Sequence, residues 1–130
     1  MRCEDWEKRL NKHLQNVAPF EWSTNDCCQF TLGRWCELCT GINHLVSYKY
    51  KTEAGAVRIL KRLGGLEALA TKHLGEPKPP AMAHRGDIVS FEHDCGVALG
   101  ICVGAKIAGV GQDGLMLVSM SLAKNAWGVK

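Results

Sequence analysis

The apolar residues of the first half recur at spacings of three and four, and those of the second half alternate. From about Glu4 to Val17, the residues Trp6, Leu10, His13, Leu14 and Val17 share one face with charges between them, which predicts an amphipathic helix. Ala18-Pro19 ends it, because a residue before proline avoids the helical region. An extended piece, Phe20 to Trp22, leads into a second helix over roughly Asp26 to Cys39, which Gly41 stops. Its apolar groups lie on more than one face, so it is expected to be the buried central helix. A polar-aromatic connection, Ile42 to Lys51, follows. Thr52 then caps a third helix carrying Ala56, Val57, Ile59, Leu60 and Leu63, and Gly64-Gly65 breaks it. A short fourth helix spans Leu66 to Leu74. Gly75 to Pro80 reads as a stiff connecting loop, not a domain boundary.

After Ala83 the period changes. Asp87 to Phe91, Gly96 to Val103, Ile107 to Val110 and Leu115 to Met120 read as strands, with Gly111-Gln112-Asp113-Gly114 as a hairpin turn. Ala126-Trp127-Gly128-Val129 reads as a last short strand. Helices first and antiparallel strands afterwards predict an α+β fold in one domain, residues 1–75 helical and 84–130 sheet.

Composition narrows the partners. The chain has 130 residues, 46% hydrophobic and 22% charged, with net charge +3. Lys and Arg are scattered, without a basic run or an aromatic-interleaved strip, so no nucleic-acid partner is expected. No apolar run reaches the length of a membrane span. The start, Met1-Arg2-Cys3-Glu4-Asp5, lacks the apolar core of a secretory signal. The seven cysteines are therefore expected as thiols in a reducing compartment, and an odd count argues against a closed disulfide framework.

Candidate chemistry gathers at Pro19 to Phe30. Ser23, Thr24, Asn25 and Asp26 are all good helix caps, and Cys27 and Cys28 follow at once. A cysteine in the first turn of a helix feels the positive end of the dipole, which favours thiolate. The residues alone leave two readings open: a sulfur nucleophile, or two small apolar core residues. Asp26 reads as the helix cap. Cys36-Glu37-Leu38-Cys39 is a C-x-x-C without a second pair, so Cys36 and Cys39 are weak metal candidates and also suit packing. It follows no β-α-β pattern, which weakens a redox reading. His93 with Cys95 is a weak supplementary pair. No cofactor is expected.

Phe20-x-Trp22 leading to Asp26-Cys27, Gly86-Asp87-Ile88-Val89, Gly100-Ile101-Cys102-Val103-Gly104 and the closing Ala126-Trp127 stand in an order that resembles the NlpC-type cell-wall peptidase superfamily. The likeness is to a short bacteriophage and prophage branch found among tail genes. It implies a papain-like α+β fold and puts Cys27, not Cys28, in the nucleophile position. The chain departs from that pattern where a histidine is expected two residues before Gly100: the position is Ala98. The polar residue expected on the next strand falls near Ala108 to Val110, all non-polar. Thiol hydrolysis needs a base within reach of the sulfur and a proton for the leaving amine. His93 is the best substitute, but five residues of extended chain span about 17 Å, so it must fold back to reach Cys27.

Two functions are therefore expected as alternatives. One is a catalytically silent tail-tip or tail-assembly component, assembled in the host cytoplasm into a virion and docked on other tail-tip proteins. The other is an active cysteine endopeptidase or amidase that cuts peptidoglycan stem peptides during genome delivery.

Overall fold

The computed structural model describes residues 1–94 and 96–130. Helices form where the three-and-four spacing runs: α1 (Trp6–Leu14), a central helix over residues 27–40, α3 (Glu53–Leu63) and α4 (Leu66–Leu74). The central helix is wound as a π-helix over Gln29–Trp35 and ends in the α-helical turn α2 (Cys36–Thr40). Where the alternation begins, five strands follow: β1 (Ile88–His93), β2 (Gly96–Cys102), β3 (Lys106–Gly111), β4 (Gly114–Ser119) and β5 (Ala123–Trp127). They make one antiparallel sheet in the order β4-β3-β2-β1-β5.

Helix ends follow local chemistry. The Thr52 side chain accepts from the Gly55 N–H at 3.2 Å, which caps α3. Gly41 and Gly64 take the left-handed conformation that closes α2 and α3. α1 is shorter than the apolar spacing predicts. Gln15 turns extended and Asn16 adopts φ 53, a left-handed geometry that asparagine tolerates better than most residues. The lead-in to the central helix is not straight either. Glu21 pairs with Asn25 across a tight turn in which Ser23 has φ 71, and Phe20 packs edge-on to Trp22.

Each face of the sheet carries a core cluster. Ile88, Leu99, Ile101 and Trp127 pack with Leu10, Phe30, Leu32, Trp35, Cys36 and Cys39 on the helical side. Val89, Phe91, Cys102, Ile107 and Ala126 form the other cluster, as the two-residue period of a strand requires. Burying each large side chain contributes about 1.5–3 kcal/mol. Trp35 is fully buried, and its indole N–H donates to the Gly86 carbonyl at 2.8 Å. That bond fixes the central helix against the entry to β1.

Gly100 is where β2, β3 and Phe91 meet most closely. A Cβ there would lie 2.5 Å from Ile107 Cγ2 and 2.8 Å from the Ala108 carbonyl oxygen. Backbone cannot yield as a side-chain tip can. Gly100→Ala is therefore expected to cost about 2 kcal/mol, read as a lower urea midpoint at unchanged slope.

β1 and β2 pair along their length, from Ile88↔Ile101 to His93↔Gly96. Between β2 and β3 the described register is Ile101↔Ala108 and Cys102↔Ile107, near one end. Towards Gly111 the chain before the central helix joins β3 instead: the Phe20 N–H donates to the Gly111 carbonyl at 3.0 Å. This brings the start of the central helix to the sheet.

Asp87, 1% exposed, ties both chain ends to that sheet. Its Oδ1 accepts from Arg2 Nη2 at 2.7 Å and from the Val129 N–H at 3.4 Å. Its Oδ2 accepts from Lys78 Nζ at 2.7 Å and from the His84 N–H at 2.8 Å. Arg2 also donates to the Val129 and Arg85 carbonyls and lies over the Trp6 ring.

Folding lowers the pKa of three histidines. His13 stacks on Phe30 with centroids 4.4 Å apart, and burial lowers its pKa. Burial does the same to His44 and His73, whose rings lie 5.2 Å apart. A histidine whose pKa falls on folding binds more protons unfolded, so stability drops as pH falls. The expected loss begins near the unfolded value of about 6.5 and continues down to the lower folded values. Urea titrations at stepped pH check it, and His13→Phe should flatten the slope.

Candidate active site

The central helix starts at a cleft of ≈ 900 Å³. Its walls include Phe20, Trp22, Tyr50 and the apolar side of α3, Val57 and Leu60 among it; Cys27, Cys28, His93 and Ala98 also line it. α3 has no fully buried residue, although its apolar positions share a face, because that face borders this open space.

Asp26 caps the helix, as its sequence position predicts. Its Oδ1 accepts from the Gln29 N–H at 2.9 Å, and its Oδ2 from the Ser23 N–H at 3.0 Å and from the Tyr50 hydroxyl at 2.5 Å. With these bonds made and 3% of its surface exposed, it is a structural carboxylate. Tyr50 is held as the phenol, first by burial and then by that bond to Asp26. Gln29 Nε2 donates to the same phenol oxygen at 3.3 Å. Thr31, fully buried, donates its hydroxyl to the Cys27 carbonyl at 2.6 Å, within the π-wound turns. A π segment at a helix start that bears a candidate nucleophile fits the frequent placement of such segments at functional sites.

The Cys27 thiol lies below its ordinary range. The neighbouring Cys28 side chain lowers it most, burial opposes ionisation, and the Leu99 backbone lowers it further. The Asp26 charge also opposes ionisation. Cys28 is pushed well up, by its bond to Cys27 and by burial. Of the two thiols Cys27 is thus the one that ionises first.

The histidines are placed elsewhere or unheld. His93 lines the same cleft, since the hairpin sets it opposite Gly96. The hairpin is the fold-back that the sequence span requires: His93 is two register positions from Phe91, the partner of Ala98, roughly 7 Å of strand. It is exposed and its ring lies edge-on to Phe91, 6.3 Å away. Cys28, the Leu99 amide and Asp26 are the neighbouring groups that shift Cys27, with no imidazole among them in the described residues. His13 meets the Phe30 carbonyl, and His73 Nε2 meets the Tyr48 hydroxyl at 2.6 Å. Ala98 lines the cleft next to Leu99, and Val110 of β3 lines it too. Cys27, Ala98 and Val110 thus line one cleft, with Ala98 also packed against the Val89 and Phe91 cluster on the other face of the sheet.

Cys36, Cys39 and Cys102 are core. Cys36 and Cys39 are fully buried, and burial pushes Cys36 up to about 12. Such thiols pack; they do not react. Among the described residues no group of three or more His, Cys, Asp or Glu is arranged to hold a metal ion. Cys95, paired with His93 in the sequence reading, lies outside the described residues. The sequence reading missed Tyr50 and the Leu99 amide. Tyr50 had a signal, as an aromatic in the connection after the helix. A strand amide carries none.

Among the described residues no helix is long and apolar enough to cross a membrane. No curated protein matches the chain. A family model described as a domain of unknown function, DUF6950, matches residues 1–129, and the chain belongs to that family.

Proposed function

We propose that this protein is a tail-tip or tail-assembly component of a bacteriophage particle, a catalytically silent domain on a papain-like, NlpC-type frame. The observation that carries the silent reading is that, among the described residues, no imidazole stands among the groups that shift Cys27, while the position where the family resemblance expects the base is Ala98. Amide cleavage by a thiolate must protonate a poor leaving group, and a thiolate alone supplies no proton. The buried carboxylate beside it, Asp26, has its lone pairs committed to Gln29, Ser23 and Tyr50. The cleft then serves recognition: an apolar wall from α3 and an aromatic pair, Phe20 and Trp22, suit a peptide segment of a neighbouring tail protein.

One observation favours the second reading, an active peptidoglycan endopeptidase or amidase. Cys27 ionises more readily than an ordinary thiol, as a sulfur nucleophile must. Purified protein incubated with muropeptides separates the two. The silent reading expects no product, and expects the protein in purified particles by mass spectrometry. Stem-peptide hydrolysis that disappears in Cys27→Ala overturns it and supports the second reading.

A further inference from the structure

We propose that the Cys27–Cys28 pair is a thiol–disulfide exchange site, with Cys27 the attacking sulfur and a peptide-sized disulfide the substrate. The inference builds on the silent reading only in taking Cys27 to lack a proton shuttle; it does not depend on the particle assignment.

Exchange and hydrolysis ask different things of a cysteine. In exchange, the Cys27 thiolate attacks one sulfur of R–S–S–R. A Cys27–S–S–R bond forms, the R–S–S–R bond breaks, and the second sulfur leaves with the electron pair as RS⁻, which takes its proton from water. The thiolate is oxidised to a mixed disulfide while the leaving half is reduced, so no further oxidant is needed. A leaving thiolate is stable in water, so neither an acid nor an oriented imidazole is required. The feature that disables amide cleavage here leaves this step intact.

The fold places the pair at an opening: Cys27 and Cys28 lie on the first turn of a long helix and border a cleft of ≈ 900 Å³, and of the two Cys27 is the thiol that is lowered while Cys28 is pushed up. That volume is in the range of ligand sites and admits a tripeptide disulfide. Among the described residues the competing thiols are withdrawn. Cys36, Cys39 and Cys102 are buried in the core, and the Cys3 sulfur is engaged with the Leu38 carbonyl at 3.4 Å. Cys28, whose own thiol is pushed up, acts as a positioning residue that lowers Cys27 and leaves it to attack.

The test uses the whole chain and oxidised glutathione, read by intact mass and peptide mapping. The expected result is one glutathione adduct, on Cys27, reversed by dithiothreitol and absent in Cys27→Ser. Cys28→Ala should raise the midpoint of the rate–pH curve. It should also slow exchange near neutral pH by about threefold for each unit of that rise, because lost thiolate is partly offset by higher nucleophilicity. Cys28→Ser keeps an O–H donor and should recover part of the rate. The proposal is overturned if Cys27 stays unmodified while urea-unfolded chain reacts, if Cys3 reacts as fast as Cys27, or if Cys28→Ala leaves the pH curve unmoved. Muropeptide hydrolysis is a separate assay, so each idea can fail alone.

Discussion

Asp87→Ala is expected to lower stability by about 3 kcal/mol, read as a urea midpoint lower by roughly 2 M at a slope of about 1.5 kcal/mol/M. The carboxylate is buried and takes Arg2, Lys78 and the backbone N–H groups of His84 and Val129. Removing it orphans both N–H groups and strands two cations. Breaking a buried pair typically costs about 3–5 kcal/mol. The lower end applies because Arg2 and Lys78 are 18% and 28% exposed and can turn to water. Asp87→Asn keeps acceptor capacity without the charge and should cost about half as much. Arg2→Ala combined with Asp87→Ala should fall short of the summed single losses, since both act on one network.

Asp26→Ala is expected to move two readouts in opposite directions. The protein loses about 3 kcal/mol: about 1 for the cap on Gln29 and the remainder for the orphaned Ser23 N–H and Tyr50 hydroxyl. Cys27 becomes more reactive, because the Asp26 charge opposes its ionisation and that opposition is gone. Alkylation of Cys27 at a pH below its midpoint should speed up in the variant, measured below its unfolding transition. A variant that is less stable and also less reactive contradicts the assignment of Asp26 as a structural cap.

Much of this architecture is legible in the sequence because local rules and tertiary packing agree. α4 runs from Leu66 to Leu74 as the spacing predicts, between glycines that stop a helix on either side. Thr52 caps α3 for the reason its side chain suggests. β3 and β4 fall on either side of the predicted glycine-rich turn. Elsewhere, long-range pairing decides. β5 is Ala123–Trp127, earlier than the apolar run Ala126 to Val129 suggests, because Ala123 and Asn125 register on Phe91 and Ser90 around an irregularity in β1. The π winding of Gln29–Trp35 leaves the apolar pattern of a helix intact and so is invisible in it.

The site divides the same way. Cys27 and its cap could be read from residue types, since a run of capping side chains before cysteine is a local signal. The Asp87 network could not, because Arg2 lies 85 positions away and its pairing is set by the fold. His93 needs a fold-back to approach Cys27, and the β1–β2 hairpin supplies one that no local signal announces. Even so, the groups that shift the sulfur are a thiol, an amide and a carboxylate.

The account turns on Cys27 being a thiolate without an imidazole partner. Its alkylation rate by iodoacetamide, followed from about pH 4 to about pH 10, reads that directly. The expected curve is one rise, with a midpoint below that of the same thiol in the urea-unfolded chain, and a rate that keeps falling through the acid range. A rate that levels off to an acid plateau, with a second step in the histidine range that vanishes in His93→Ala, is the signature of a thiolate–imidazolium pair and contradicts the account.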